Sequence, residues 1–435
     1  MTKKAAARRG KQETTTKTTM EPQLSLGMRQ LMLPLLVAME ATKSGLLAFV
    51  QQMGMLALQE LLDSQAADIA GAKGKHLPGR THHHWGSAKT PMPFGGRNVV
   101  VDRPRVRRKG GGEVALPSVA EFRAADPMPD RVAEQVVLGV STRGYGRSLE
   151  PVDPELTTRG TAKSSASRAL IENTTEKLAA FVEQPLDELK LTAMFIDGIE
   201  IAKHTVIIAL GVTIDGVKVP VGVWAGATEN GTVATAMLQN MIDRNLSVDA
   251  PMLFVIDGGK GVRKALGDVF GDRAIVQRCQ VHKLRNVHDH LPDSRRNYVG
   301  KQMREAYKST SAKVAKKKLL QLASWLESNG EDSAAASLRE GLDETLTVLR
   351  LGLSKLLCRT FSTTNAIENM NGTLRRVLRN VKRWRGEGMV RRWVALAIAE
   401  AQRGFRRVKG HQQMPSLLAA LRPGIATLEN ERKVA

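Results

Sequence analysis

Residues 191–197, 204–214 and 218–224 are three short runs rich in β-branched and apolar side chains, and they commit the chain to a fold built on a sheet. Asp215-Gly216 separates the last two runs, a two-residue connection typical of β-hairpins, so those strands should pair antiparallel. The period then changes. A helix is expected over 232–245, a buried strand over 252–256, a second helix over 262–270 and a further strand over 274–278.

Three antiparallel strands followed by alternating helix and strand is the order of a ribonuclease-H-like sheet, so the expected class is α/β with a ribonuclease-H-like catalytic domain. Residues 282–357 interrupt it with a wholly helical signal. Leu319, Leu322, Trp325 and Leu326, then Leu338, Leu342, Leu346 and Leu349, recur at three- and four-residue spacings and mark an all-α insertion. A last long helix begins after Thr364. The expected organisation is a disordered basic arm (1–20), a helical and basic module (21–128), an α-helical DNA-binding region (129–184), the first part of the core (185–281), the insertion (282–361) and the closing helices (362–435).

Within the module, residues 23–65 read as helical. The stretch 71–112 breaks into Gly, Pro, His and Arg, with one short strand at 98–102. His76, His82, His83 and His84 find no further ligands there and read as part of a solvated loop. Helices over 130–139, 145–150 and 161–181, separated by turns, suit a helix-turn-helix unit, with Lys163, Ser164, Ser165 and Ser167 facing a groove. A plain helical linker is the competing reading.

Charge narrows the partner. Lys and Arg number 65 against 43 acidic residues, a formal +22 that attracts a polyanion. Between 374 and 409 twelve basic residues face only Glu387 and Glu400. No run approaches the roughly 18 uninterrupted apolar residues of a spanning helix, and the run at 31–39 contains Pro34 and stops at Glu40. The basic, Thr-rich start leads to no secretory cleavage pattern, so a cytoplasmic, nucleoid-associated address without membrane contact is expected. Cys279 and Cys358 are too few for a disulfide framework and should be reduced.

Asp197 and Asp257 each end an apolar run and are followed by Gly, which by itself suits a strand-ending turn. Two such ends in one sheet can face a shared cleft. Glu368 lies on the opening turn of the last helix, where Asn365 as N-cap and Glu368 three residues later fit a capping box. The same face continues with Gly372, Arg375, Arg376, Arg379 and Arg383, a carboxylate followed by a ladder of phosphate-binding cations. Three acidic oxygen donors suit Mg²⁺ or Mn²⁺, and two such ions can drive in-line phosphoryl transfer without a covalent nucleophile from the protein.

The motifs Phe195-Ile-Asp-Gly-Ile-Glu200, Gly226-Ala-Thr-Glu-Asn230, Val255-Ile-Asp-Gly-Gly-Lys260, Gln277-Arg-Cys-Gln-Val-His-Lys-Leu-Arg-Asn286 and Thr363-Thr-Asn-Ala-Ile-Glu-Asn-Met-Asn-Gly-Thr-Leu-Arg-Arg376 resemble, in order and spacing, those of the Mutator-like bacterial insertion-sequence transposases. The resemblance runs from about Gly95 to the C-terminus. It implies an Asp-Asp-Glu triad at Asp197, Asp257 and Glu368, a helical insertion before the Glu, and Mg²⁺-dependent recombination at terminal inverted repeats. Cys279 and His282 occupy the family's Cys/Asp-x-x-His position. Two ligands do not make a zinc site, so a structural or DNA-positioning role is expected for them. Trp384 and Trp393 are expected to pack in the core. The expected partner is double-stranded DNA, both transposon ends and target, bound by a homodimer through Arg375, Arg376, Arg379, Arg383, Lys163, Arg105, Arg107 and Arg108. A transposase-derived regulator without catalysis, or a structure-specific nuclease, are the competing readings.

Overall fold

The structure, a computed structural model, describes residues 45–75, 78–154, 156–201, 203–226 and 231–422. The arm at 1–20, the first half of the helix expected over 23–65, His76 and most of the motif ending at Asn230 lie outside the described residues. The chain forms two compact units. One holds the described residues up to Met92 with 99–124 and 150–158, and the other holds 93–98, 125–149 and 159–422.

The first unit is built on helix α1 (Gly45–Ala70) and strands β1 (His82–Phe94), β2 (Arg97–Arg108) and β3 (Glu113–Val114), followed by α2 (Pro117–Ala124). Leu62, Ala66 and Ala70, one helical turn apart, form a stripe buried with Met92, Val101, Val106 and Leu116. By length and composition α1 could cross a membrane, but this stripe makes its C-terminal half part of a protein core. The buried Gln51 amide donates to the Pro151 carbonyl at 2.9 Å and accepts from the Asp153 N–H at 3.0 Å, so its polar group is satisfied on both sides. Residues 71–112 are more regular than their composition suggests. The loop expected around His82, His83 and His84 is instead strand β1, and β2 is far longer than the expected 98–102. Gly95 (φ 57°) and Gly96 (φ 85°) make the two-residue turn between them, which requires positive φ at both positions.

In the second unit, α3 (Met128–Val137), a single 3₁₀ turn (Tyr145–Ser148) and α4 (Lys163–Glu183) lead into β5 (Leu191–Ile201), β6 (His204–Thr213) and β7 (Lys218–Gly226); the two-residue β4 (Thr158–Arg159) precedes α4. Then come α5 (Gly231–Asp243), β8 (Met252–Ile256), α6 (Lys260–Phe270) and β9 (Ala274–Arg278). The sheet order is β7-β6-β5-β8-β9, antiparallel from β7 to β5 and parallel from β5 to β9. Every strand and crossover helix expected from the sequence forms here.

Side chains alternate between two apolar layers, as the strand period of two demands. Ala193, Phe195, Leu253 and Val255 face one layer; Met194, Ile196, Phe254 and Ile256 face the other, under α5 and α6. Val132, Val136, Ala166 and Leu170 belong to the first layer, so the helices expected to form a separate helix-turn-helix region have their apolar faces committed to the core of the sheet. The second of those helices is only the short 3₁₀ turn at 145–148.

The insertion comprises α7 (Gln280–Asp289), α8 (Asp293–Tyr307), α9 (Ala312–Ser328), α10 (Asp332–Arg339) and α11 (Thr347–Arg350). Leu319, Leu322, Leu326, Leu338, Leu342 and Leu346 bury together in a core of its own, with Trp325 and Leu349 at its edge. Polar bonds fasten it to β9. The fully buried Gln277 amide donates to the Thr345 carbonyl and accepts from the Val348 N–H, and the Thr347 hydroxyl donates to the Val276 carbonyl. Arg278 bridges Glu340 and Glu344, and the Lys283 ammonium donates to the carbonyls of Ser337 and Glu340.

After α12 (Lys355–Phe361) the chain closes with α13 (Asn365–Leu378), α14 (Glu387–Arg403) and α15 (Met414–Leu421) on the first layer. The long helix expected beyond Thr364 is thus two helices. Gly216, at the tip of the β6–β7 hairpin, has φ +74° and its carbonyl accepts from the Val408 N–H. A Cβ there would lie 2.5 Å from the His411 Cβ. Gly216→Ala should therefore lower the thermal unfolding midpoint, by the equivalent of about 1–3 kcal/mol; a midpoint equal to the parent's would show that the turn yields freely.

Candidate active site

The pairing of β5 with β8 sets Ile196 opposite Ile256 and stops there. Asp197 and Asp257 are the next residue on each strand, and by alternation both leave the sheet on the side of Phe195 and Val255, the side that α13 covers. The two strands end differently. Asp257 directly follows the end of β8, and its Oδ1 accepts from the Gly259 N–H at 2.8 Å. Asp197 does not close a strand: β5 runs on to Ile201, paired to β6, so the expected Asp-Gly turn is absent and Gly198 pairs opposite Ile207. The neighbour β6 is long enough to keep the ladder going where β8 is not.

Helix α13 brings Glu368 and Asn371 to the same place. Ile367, Met370, Leu374 and Val377 bury against the sheet and orient the helix. The amide of the fully buried Asn371 donates to Asp197 Oδ2 at 2.8 Å. The capping box expected from Asn365 and Glu368 does not form. Thr364 is the N-cap residue, and its hydroxyl donates to Glu368 Oε1 at 2.7 Å. A carboxylate already held by a side-chain hydroxyl is set in place, though part of it stays exposed.

Cys279 and His282 approach from α7. Cys279 is the N-cap of that helix, and its fully buried Sγ accepts from the backbone N–H groups of His282 and Thr364, each at 3.5 Å. His282 sets Nδ1 3.3 Å from the Thr364 hydroxyl and Nε2 3.7 Å from Glu368 Oε1. Among the described residues Cys279, His282 and Glu368 form a group whose possible ligand atoms all lie within 4.8 Å of one another. Burial pushes the Cys279 thiol up, but the hydrogen bonds from His282 and Thr364 outweigh it and hold the thiol below its ordinary range. The bond to Cys279 raises His282, against burial and with help from the charges of Glu368 and Asp257.

The sequence had singled out Cys279, His282, Asp197, Asp257 and Glu368, and all five meet here. It had given no role to Thr364 or Asn371. Both lie inside the motif at 363–376, and Asn371 shares the Glu368 face at a spacing of three, which is the one signal that could have marked it.

The basic residues are less uniform. Arg375, Arg376 and Arg379 are exposed at the end of α13. Arg376 lies 3.5 Å from Glu400 of α14. Arg383 falls beyond the helix, which ends at Leu378, so the ladder of four on one helix face is broken after Arg379. Arg105 is engaged by Glu113, which also takes Arg103; those two hydrogen bonds, Arg105 first, hold the Glu113 carboxyl down at about 2. Arg107 stacks over the exposed Trp85 ring at 4.9 Å, and Arg108 and Lys163 are exposed. Trp384 and Trp393 meet edge to face, 6.4 Å apart, packed against the core as expected.

The class that fold and site define is an α/β protein gathering acidic side chains where two parallel strands of a mixed sheet stop pairing, beneath a basic helix. A profile of the family described as Transposase, Mutator family, matches residues 31–408, and the chain belongs to that family. It is 28% identical over 340 residues to the transposase for insertion sequence element ISRM5 of Rhizobium meliloti, covering 73% of this chain and 79% of that one. It is 25% identical over 286 residues to the transposase for IS905 of Lactococcus lactis, covering 64% and 69%. With the transposase for IS256 in transposon Tn4001 of Staphylococcus aureus the identity is 24% over 306 residues, covering 64% and 74%.

Burial, then the charge of Asp257, raise the Asp197 carboxyl from 3.8 to about 6; the charge of Glu368 adds to this and that of His282 opposes it. The folded chain holds this proton up to about pH 6, while the unfolded chain releases it near pH 4, so in metal-free solution folding loses stability as pH rises through that window. Asp197→Asn should consequently unfold at a higher temperature than the parent near pH 7, by the equivalent of up to about 3 kcal/mol, and the gap should close below about pH 4. Thermal unfolding in chelator across this range checks it, and a variant less stable than the parent at neutral pH contradicts it.

Proposed function

We propose that this protein is a DNA transposase that binds the terminal inverted repeats of an insertion sequence, cleaves there and joins the freed ends to target DNA. Asp197, Asp257 and Glu368 are its Asp-Asp-Glu triad, on a core of ribonuclease-H-like strand order. The observation that carries the reading is the convergence of Asp197 and Asp257, on the face covered by α13, with the glutamate of that helix.

An all-oxygen donor set suits Mg²⁺ or Mn²⁺. Burial, with the neighbouring charges of Asp257 and Glu368, lifts the Asp197 carboxyl and marks a site short of positive charge, which fits such ions. When bound, a pair of divalent ions lowers the pKa of the attacking water or 3′-hydroxyl and neutralises the leaving oxygen. The chain supplies the rest. The Asn371 amide fixes one oxygen of Asp197, the Gly259 N–H fixes one of Asp257, and the Thr364 hydroxyl fixes one of Glu368, so each carboxylate is pre-oriented before substrate arrives.

The exposed Arg375 and Arg379, with Arg376 beside Glu400, lie along the backbone of the duplex beside this site, and Arg107, Arg108 and Lys163 contact phosphates elsewhere on the ends. The working assembly is a homodimer on DNA, at the nucleoid.

Asp197→Asn, Asp257→Asn and Glu368→Gln should each abolish Mg²⁺-dependent joining of a labelled terminal-repeat duplex to plasmid while leaving duplex binding nearly intact. Normal joining by any of the three removes that residue from the triad, and cleavage without joining by the parent would make the protein a nuclease. Arg375→Ala and Arg379→Ala should each weaken binding to repeat and scrambled duplex alike, and reduce the slope of log affinity against log salt by about 0.9. An unchanged slope would mean that these side chains touch no phosphate.

A further inference from the structure

We infer that Cys279, His282 and Glu368 form a second metal site, one that takes a borderline-soft divalent cation of the zinc class and, by claiming Glu368, holds the protein inactive. The geometric ground is that a thiol and an imidazole three residues apart at the start of α7, and a carboxylate from α13, present ligand atoms all within 4.8 Å of one another. Tetrahedral Zn²⁺ with bonds of about 2.0–2.3 Å separates its ligand atoms by roughly 3.3–3.5 Å. His282 Nε2 and Glu368 Oε1, at 3.7 Å, are already close to that separation.

The surroundings suit ligands more than they suit a plain buried cysteine. The Cys279 sulfur sits at the N-terminus of α7 and accepts two backbone N–H groups, contacts that stabilise a thiolate and persist when sulfur binds a metal. The Thr364 hydroxyl carries one proton and has three neighbours, the Cys279 sulfur at 3.4 Å, His282 Nδ1 at 3.3 Å and Glu368 Oε1 at 2.7 Å. The shortest contact takes the proton, so Glu368 is steadied and the hydroxyl oxygen remains to accept from His282 Nδ1–H. That bond leaves Nε2, the nitrogen nearer Glu368, with its lone pair free for a metal.

The donor set separates this site from the all-oxygen one. Sulfur and nitrogen select zinc-class ions over Mg²⁺, and three protein ligands leave the fourth tetrahedral position to water. Loading releases the thiol proton to solvent. The Glu368 side chain is 39% exposed and that of His282 21%, which gives a cation a path that the buried sulfur alone would not offer. A zinc-class ion on Glu368 competes for the carboxylate that the triad with Asp197 and Asp257 requires. Only this inhibitory consequence rests on the proposed function; the site does not.

Full-length, DNA-free protein titrated with Co²⁺ tests it. One equivalent should give the near-ultraviolet charge-transfer band of a cobalt thiolate with the visible bands of tetrahedral cobalt, and Zn²⁺ should bleach both. Cys279→Ser should lose the charge-transfer band, Glu368→Gln should weaken Co²⁺ binding at least tenfold, and Cys358→Ser should match the parent. No charge-transfer band in the parent, or one that survives in Cys279→Ser or vanishes in Cys358→Ser, overturns the site; should Cys279→Ser not fold, undiminished binding by Glu368→Gln overturns it equally. Zinc should also inhibit Mg²⁺-supported joining by the parent at concentrations that saturate the cobalt-binding site, and failure to inhibit would overturn the regulatory part. A parent that binds cobalt as described but joins no DNA would refute the proposed function and leave the metal site standing.

Discussion

The site depends on one pairing, the short parallel ladder between β5 and β8. Because β8 is five residues long and ends at Ile256, while β5 continues along β6, the ladder stops where the two aspartates begin. Backbone bonds that would otherwise run on between the strands are replaced by two carboxylates side by side. Below them Phe195, Val255 and their neighbours are wholly buried, so the ends of the strands cannot shift without disturbing the core. Phe195 also stacks with Phe361 of α12, 5.7 Å between ring centres, which ties the aspartate strand to the chain that leads into α13.

Such a site works against the stability of the fold that holds it. Burial and mutual repulsion make ionised Asp197 unfavourable, and the protein offsets this with directed hydrogen bonds: Asn371 on Asp197, Gly259 on Asp257, Thr364 on Glu368. Asn371 Oδ1 is itself buried with no hydrogen-bond partner. A buried acceptor left unpaired costs about 1–3 kcal/mol, a cost tolerated where positioning of Asp197 depends on the other end of the amide.

The helical insertion enters the same economy of constraints. It has its own core, yet it is joined to β9 by polar bonds at Gln277 and Arg278, directly before Cys279. Apolar contact alone would allow the insertion to slide; fixed donors and acceptors do not. The chain leaves the sheet at Cys279 and returns at Thr364, and those two residues touch through a sulfur that accepts the Thr364 N–H. A long excursion is thus closed at its base, and the Glu-bearing helix starts from a defined point.

The sequence by itself determined the sheet, its crossover helices, the leucine core of the insertion and the identity of the acidic residues. These are properties of local period and residue type: apolar alternation, a hairpin dipeptide, leucines at helical spacing, carboxylates at the ends of buried runs. The β1–β2 hairpin was legible in principle from Gly95-Gly96, but basic and proline-rich flanks masked its alternation. Tertiary structure decided what depends on neighbours. Whether Asp197 ends a strand was decided by the length of β6; whether Glu368 caps a helix was decided by the Thr364 hydroxyl; whether Arg383 shares a face with Arg379 was decided by where α13 stops. Asn371 acquired its partner across 174 positions of sequence, and Cys279 met Thr364 across 85, distances over which no local period carries information. The helices at 128–183 show the same division, since their amphipathic pattern required a core and only packing revealed that the core was that of the sheet.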